Sequence, residues 1–289
     1  MNFKAFSQMF MAEHCRVVNK PSHIATNNQL LYANLLPAFG EMGLEAIRPR
    51  HILTFRSAAL ATGVTARTVN SRLTLLRTML RKAWEWEVME TPPPKVAMLP
   101  FATAKRPGWG VEAMECIMAT APQPWKALVT FASRTGLRRG ELAALEWSDI
   151  DFSRDVIVVA RAVSAGIECS TKSLRVREVP LSKAAAAALA ALPRAGKGVF
   201  VKLPDGIKYR VSGLSEGLRR ACPKAGVKNL GWHGLRRAYA THLEACGVPI
   251  STIQTWMGHA DISTTMRYLS QDTSGDRDAM ARLDAMHQK

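Results

Sequence analysis

Five side chains in this 289-residue sequence are of the types that could together hold and open a phosphate linkage. Arg138 sits in Thr135-Gly136-Leu137-Arg138-Arg139-Gly140-Glu141-Leu142, and His233 and Arg236 sit in His233-Gly234-Leu235-Arg236. His259 follows Gly258, and Tyr268 lies nine residues further on. A guanidinium is a planar fork that can hold phosphate oxygens bidentately. Imidazoles exchange protons near neutral pH. A phenol is a nucleophile once a base takes its proton. No cluster of acids suggests a metal site, so the two arginines would have to neutralise the developing charge themselves.

Taken singly, each fragment has an ordinary reading as well. On a helix, Arg138 and Glu141 would share a face, and the carboxylate could orient the guanidinium or be one half of a weak surface ion pair. His233 and Arg236 repeat that spacing on a helix where Leu235, Tyr239 and Leu243 would be buried, leaving the His and Arg on another side. A lone helical histidine is more often structural than catalytic. Gly258 is expected to close a helix begun near Ser251, because glycine suits the left-handed cap position. His259 then falls at a tight break. Asp261 or Ser263 can cap a short following helix through Leu269 that carries Tyr268. A tyrosine on a separately capped helix can swing, whereas a tyrosine taken alone is more often a core residue.

The elements that must position these groups read as two domains. Residues 1–94 form the first, and it reads as helical to about residue 92. Phe3, Phe6, Met9 and Phe10 recur at helical spacing, as do Leu30, Leu31, Ala33 and Leu35 before a break expected at Pro37 and Gly40. From Val69 to Trp86 the pattern is amphipathic: Val69, Leu73, Leu76, Met79, Leu80, Ala83 and Trp84 share one face. Arg72, Arg77, Arg81 and Lys82 share the other, as a solvated surface or as a face laid along a phosphate backbone. Three prolines after Thr91 stop the helical pattern. Residues 95–107, with Lys105 and Arg106, read as an interdomain linker able to touch DNA. Residues 108–289 open with helices near Val111–Ala119, Trp125–Ser133 and Gly140–Trp147. The period then shifts to two at Val156-Ile157-Val158-Val159, which predicts a strand. Strands near Gly166–Thr171 and Arg175–Val179 are expected to form a hairpin turning at Lys172 and Ser173. Ser182 would cap an alanine-rich helix, and helical pattern runs on to the end. The fold class is therefore mainly α, an α-rich second domain carrying a small antiparallel sheet.

The formal charge of +16 points to a polyanion, most simply nucleic acid, or to a solvated basic surface. The five cysteines include no CxxC pair, which fits a reducing cytosol. The longest apolar run, Ala184–Leu192, is far shorter than the ~20 residues that span a bilayer. No signal-peptide pattern is present. These features predict a soluble cytoplasmic protein with no membrane partner.

Jointly, the fragments resemble the tyrosine recombinase family of the phage-integrase type. The Arg138 segment, followed by Leu145-Glu146-Trp147-Ser148-Asp149-Ile150-Asp151, is similar to the family's first arginine box. Thr171-Lys172-Ser173 leading into Arg177-Glu178-Val179-Pro180-Leu181 resembles its hairpin lysine segment, with Arg175 and Arg177 close to the lysine. His233 to Leu243 resembles the second box, although Arg237 stands where the family often has histidine. Gly258-His259 with Thr264-Thr265 and Tyr268 resembles the nucleophile segment. Leu36-Pro37-Ala38-Phe39-Gly40 is a looser match to the helical core-binding domain, the DNA-binding part that residues 1–94 would form.

The resemblance implies a site-specific DNA recombinase acting through a covalent 3′-phosphotyrosine and a Holliday junction, for integration or excision of a mobile element. Catalytic roles fall on Arg138, Lys172, His233, Arg236, His259 and Tyr268, with Glu141 orienting Arg138. Neither metal nor ATP is implied, because the covalent link conserves the phosphodiester energy. The implied partners are double-stranded DNA, other copies of the chain in a tetramer on DNA, and accessory DNA-bending or excision factors. The implied setting is bacterial or phage-encoded and nucleoid-associated. Many phage integrases carry an extra arm-binding N-terminal domain, whereas this sequence opens at the presumed core-binding part: either its system is simple, or the sequence is a truncated version of a longer protein. Ala279, Met280, Leu283 and Met286 would form a small apolar face that packs on its own domain or docks on a neighbour. Two other readings stand beside this one: a non-catalytic DNA-binding relative, and a type IB topoisomerase with similar chemistry. A zinc site built on His233, His242 and His259 would need a fourth ligand.

Overall fold

The structure is a computed structural model, and it describes residues 1–19, 21–102, 108–164, 166–170, 176–192, 194, 196–202, 207–208 and 211–266. The chain divides into two compact units, Met1–Ala104 and Lys105–Lys289.

The first unit is helical. Asn2 caps the opening helix by accepting from the Ala5 N–H. The aromatic residues Phe3, Phe6, Phe10 and Phe39 lie in its core with Leu31, Leu35, Leu73, Leu76 and Leu80. Fully burying one such side chain contributes roughly 1.5–3 kcal/mol. The helix Pro21–Leu30 passes through a wide π-type turn, Leu31–Leu35, into Leu36–Phe39. Pro37 therefore does not break the chain's helical path as the sequence suggested. It occupies the first turn of the new segment, where a missing N–H costs nothing. The amphipathic helix spans Ala66–Glu85, capped by Thr65. It buries Val69, Leu73, Leu76, Met79, Leu80 and Ala83 as the spacing predicts, and Leu75 in addition. Trp84, expected on that face, is instead 45% exposed.

Residues 95–102 run along this unit. Val96 is buried in its core, with Met98 and Leu99 packed against it. The Asn70 side chain brackets Leu99: its Nδ2 donates to the Leu99 carbonyl at 2.8 Å, and its Oδ1 accepts from the Leu99 N–H at 2.8 Å. Lys105 and Arg106 lie outside the described residues.

The second unit packs helices around a small antiparallel sheet. Val156–Val159 is the central strand, flanked by Ile150–Asp151 and Arg177–Pro180. The register sets Ile157 opposite Val179 and Val159 opposite Arg177. Among the described residues, the pairing expected between the second and third strands is not made. Ile167–Ser170 pairs instead with Arg161–Ser164, while Arg177–Pro180 returns to the central strand. Lys172 lies outside the described residues. The helix predicted over Gly140–Trp147 is shorter, Arg139–Ala144. Beyond it, Leu145 accepts from the Val199 N–H and Trp147 donates to Lys197, so a non-local bridge replaces the last helical turn. Ser182 caps Lys183–Ala190 as expected. The helices Gly231–Ala245, Ile250–Met257 and Ile262–Met266 complete the described part.

Replacing Asn70 with Ala removes both bonds to Leu99, and a loss of about 1–3 kcal/mol in unfolding free energy is expected. Amide exchange at Leu99 should also accelerate. Unchanged protection at Leu99 would show that Asn70 does not hold this segment.

Candidate active site

The site is built on the C-terminal end of the Ile250–Met257 helix. Gly258 ends that helix at φ 63° and ψ 47°, the left-handed conformation the sequence required. The last carbonyls of a helix lack intrahelical donors and carry its negative dipole end, so cations bind there. Three successive carbonyls do so here. Arg177 Nε donates to Trp256 O at 2.9 Å, Arg236 Nη2 donates to Met257 O, and Arg138 Nη2 donates to Gly258 O at 2.9 Å.

Each arginine comes from a different element. Arg138 precedes the Arg139–Ala144 helix at its cap position. Its partnership with Glu141 is thus a cap rather than two residues on one helical face. One Glu141 oxygen accepts the Arg138 backbone N–H at 2.7 Å, and the other accepts Nη1 at 2.9 Å. Arg236 is 1% exposed, more deeply buried than the sequence pattern implied, because Gly136 O also accepts from its Nη1, at 2.6 Å. Gly136 is itself a left-handed helix end, and a Cβ there would stand 2.3 Å from the Tyr239 ring. Arg177 enters from the Arg177–Pro180 strand, whose alternation buries Arg177 and Val179 and exposes Glu178 and Pro180.

Glu141 is the counter-charge. It is 2% exposed and receives Arg177 through Nη1–Oε1 at 3.1 Å and Nη2–Oε2 at 2.7 Å. Burial works to raise its pKa. The hydrogen bonds and charge of Arg177, then the charges of Arg138 and Arg236, outweigh burial and hold it down at about 2.

His259 joins the cage from the next residue of the chain. Arg236 Nη2 lies 2.8 Å from its Nε2, and Thr265 Oγ1 lies 2.9 Å from its Nδ1. A guanidinium only donates, so Nε2 carries the lone pair and Nδ1–H donates to Thr265. Burial, followed by the charges of Arg236, Arg138, His233 and Arg177, lowers the pKa of His259 to about 3, and the ring is neutral. His233 is exposed on the Gly231–Ala245 helix, close enough for its charge to act on His259. Tyr239 is a poor nucleophile, since burial pushes its hydroxyl up to about 12 against the opposing charges of Arg236 and Arg177.

Asp261 Oδ1 accepts from the Ser263 N–H at 2.8 Å and starts the short Ile262–Met266 helix. Tyr268, two residues past Met266, lies outside the described residues, as do residues 279–286. Of the sequence candidates, the structure brings together Arg138, Glu141, Arg236, His259 and, at its edge, His233. Arg177 was the residue missed as a member of the cage. Its signal was present: an arginine at an inward position of a strand with period two. Among the described residues no group of three or more His, Cys, Asp or Glu side chains is placed to hold a metal ion.

The candidate DNA contacts on the Ala66–Glu85 helix of the first unit differ in state. Arg77 is exposed, and Arg72 is half-buried with its Nε enclosed. Arg81 and Lys82 both reach Glu85, at 3.3 and 2.6 Å. Such exposed pairs contribute little and yield readily to a phosphate.

Residues 111–274 match the sequence model of the phage integrase family. That is more than half of the 289 residues, and the chain belongs to this family of tyrosine-type site-specific recombinases. The ICEBs1 integrase of Bacillus subtilis (strain 168) is 24% identical, over 92% of this chain and 78% of its own length. The integrase of Salmonella phage P22 is 31% identical, over 74% of this chain; the chain spans about half of that relative, 54%. Among solved structures, the Tn1549 transposon integrase in complex with transposon right end DNA superimposes with a TM-score of 0.82 at 17% identity, covering 98% of this chain and 100% of that one. A lambda integrase tetramer bound to a Holliday junction gives 0.74 at 15% identity, covering 93% and 78%. The mainly helical fold with a small antiparallel sheet is shared with these integrases.

Two outcomes follow from the geometry. In Gly258→Ala the new Cβ would meet Arg177 Cδ at 2.9 Å and the backbone would be held at φ 63°. A loss of about 1–2 kcal/mol or more is expected in denaturant unfolding; unchanged stability would contradict the close approach. The second concerns pH. The folded pKa of His259 is depressed from 6.5 to about 3, so its share of stability is present above 6.5 and is lost as pH falls toward 3. The Glu141 share is lost as pH falls from 4.5 through about 2. Melting temperature should fall steadily below pH 6.5, and His259→Asn should flatten the upper part of that fall. An unaltered profile in the variant would remove His259 as the cause.

Proposed function

We propose that this chain cuts and rejoins DNA at specific sites through a covalent 3′-phosphotyrosine on Tyr268, exchanging strands by way of a Holliday junction to integrate or excise a mobile element. The observation that carries the reading is the bonding of Arg138 and Arg236 to consecutive carbonyls of one helix end, with His259 on Arg236, nine residues before Tyr268. Two guanidiniums converging from separate elements form a clamp for the non-bridging oxygens of one phosphate.

In the reaction, the Tyr268 oxygen bonds to phosphorus, the bond from phosphorus to the 5′-oxygen breaks, and the phenolic proton passes to His233. Lys172 supplies a proton to the departing 5′-oxygen. Arg138 and Arg236 gain strength of interaction as charge builds on the phosphoryl oxygens, and His259 completes that shell. A phenol with an ordinary pKa of ~10 is weak alone, and the surrounding cations favour its ionised form. Glu141 keeps Arg138 extended without touching DNA. Rejoining reverses these steps with a different 5′-hydroxyl, so the bond energy is kept and no ATP or metal is required.

Residues 1–94 serve as the core-binding domain, residues 95–107 as the linker, and residues 108–289 as the catalytic domain. The partner is double-stranded DNA, which the +16 charge favours; the Tn1549 integrase is in complex with transposon right end DNA, and the lambda integrase tetramer is bound to a Holliday junction. Arg72, Arg77, Arg81, Lys82, Lys105 and Arg106 are the proposed backbone contacts. Strand exchange requires two sites and four active chains, hence a tetramer on DNA like that of lambda integrase, with accessory bending or excision factors setting direction. The working compartment is the cytoplasm.

Tyr268→Phe should bind DNA yet leave no SDS-resistant protein–DNA adduct on a nicked suicide duplex, and Arg138→Ala or Arg236→Ala should lower adduct formation by roughly two to three orders of magnitude. An adduct formed by the Phe variant would overturn the nucleophile assignment. Near-normal cleavage by either Ala variant would remove that arginine from the clamp.

A further inference from the structure

Arg177 takes part in none of the proton or charge transfers above, yet all three of its guanidinium nitrogens are bonded within the site. It is 8% exposed on the inward face of its strand. Both terminal nitrogens pair with the two Glu141 oxygens, and Nε donates to the Trp256 carbonyl. Gly258 lies against it so closely that a Cβ would stand 2.9–3.0 Å from Arg177 Cδ, Nε and Nη1. One rigid fork therefore touches three parts of the chain that the reaction needs in register: the carboxylate that orients Arg138, the helix end that carries His259 and leads to Tyr268, and the strand that follows the Lys172 segment.

We propose that Arg177 is a positioning residue for DNA cleavage, fixing Arg138 through Glu141 and fixing the departure of the His259–Tyr268 segment through the Trp256 carbonyl. The inference rests on the reading of this chain as a phosphotyrosine-forming recombinase. Its physical basis is the fixed geometry of the guanidinium. Three donors in one plane, bonded to a carboxylate and a helix end, leave the strand and the helix no relative freedom. Lysine keeps the charge but offers a single point, and so would leave the carboxylate ionised and loosely held.

A second consequence separates positioning from mere stability. Glu141 is faced by Arg138 at its own helix cap, Arg177 from the strand and Arg236 from the Gly231–Ala245 helix. Arg177 in turn lies near His259 and Tyr239. Removing the Arg177 charge leaves a buried carboxylate with weaker compensation, so its proton affinity rises. Once protonated, it no longer holds Arg138 by charge.

The test uses the full chain and a nicked duplex recovered by covalent capture on the wild-type protein from a random-sequence pool. Single-turnover adduct formation and DNA affinity are followed from acid to neutral pH, with thermal melts confirming folding. Arg177→Lys should bind DNA as the wild type does and cleave about 10- to 100-fold more slowly with an unchanged pH profile, as expected for a misplaced clamp. Arg177→Met should be slower still and gain an acid limb, its rate rising with pH as Glu141 ionises. Adding Glu141→Gln to Arg177→Met should abolish that limb. If Arg177→Met does not fold, the Arg177→Lys rate decides alone. Wild-type rates in folded Arg177→Lys, or a folded Arg177→Met without the limb, would overturn the positioning role while leaving the recombinase reading intact. Failure of the wild-type protein to capture any duplex would overturn both.

Discussion

The second unit is organised by one helix end. The carbonyls of Trp256, Met257 and Gly258 would lack donors if the helix simply stopped, and each receives a guanidinium from a different element. Gly258 makes this possible twice over. It turns the chain out of the helix in a conformation that side chains resist, and it leaves room for Arg177 beneath. The helix dipole places its negative end among these cations, and the buried Glu141 adds a full countercharge. Positive groups that repel one another are thereby held side by side in a protein interior.

That arrangement accounts for the electrostatics around it. Glu141 remains ionised although buried, because its neighbours outweigh the desolvation cost. His259 remains neutral because its burial, and then the same neighbours, penalise a positive charge on the ring. Its lone pair faces Arg236 and its proton faces Thr265. A site rich in fixed cations with one neutral imidazole is suited to an anion whose charge grows during reaction, because its dipoles are set before the substrate arrives.

Much of this was legible in the sequence, for physical reasons that can be named. Gly258 and Ser182 act through local backbone chemistry, which short spacing reveals. The amphipathic helix from Ala66 shows most of its buried face through its period, Leu75 and Trp84 being the exceptions. The residues proposed to handle phosphate stood out because several short motifs occurred together in one order, and the family match over residues 111–274 is in keeping with that order. What escaped was non-local. Strand partners were misjudged because alternation does not say which strand lies next to which, and Ile167–Ser170 found Arg161–Ser164 rather than Arg177–Pro180. The Gly140 helix was overextended because the bridge from Leu145 to Val199 comes from far along the chain. Arg177 was passed over because its partners, Glu141 and Trp256, lie far from it on either side in sequence.

The proposed reaction requires the Tyr268 oxygen to reach a phosphorus held by this cage. The most direct measurement is peptide mapping of the trapped protein–DNA adduct after trypsin and nuclease digestion. Cleavage after Arg267 and Arg277 isolates residues 268–277, with Tyr268 first. The proposed reaction leaves the nucleotide mass on Tyr268 of that peptide. A nucleotide carried on Tyr239, on a histidine or on a serine elsewhere would contradict it.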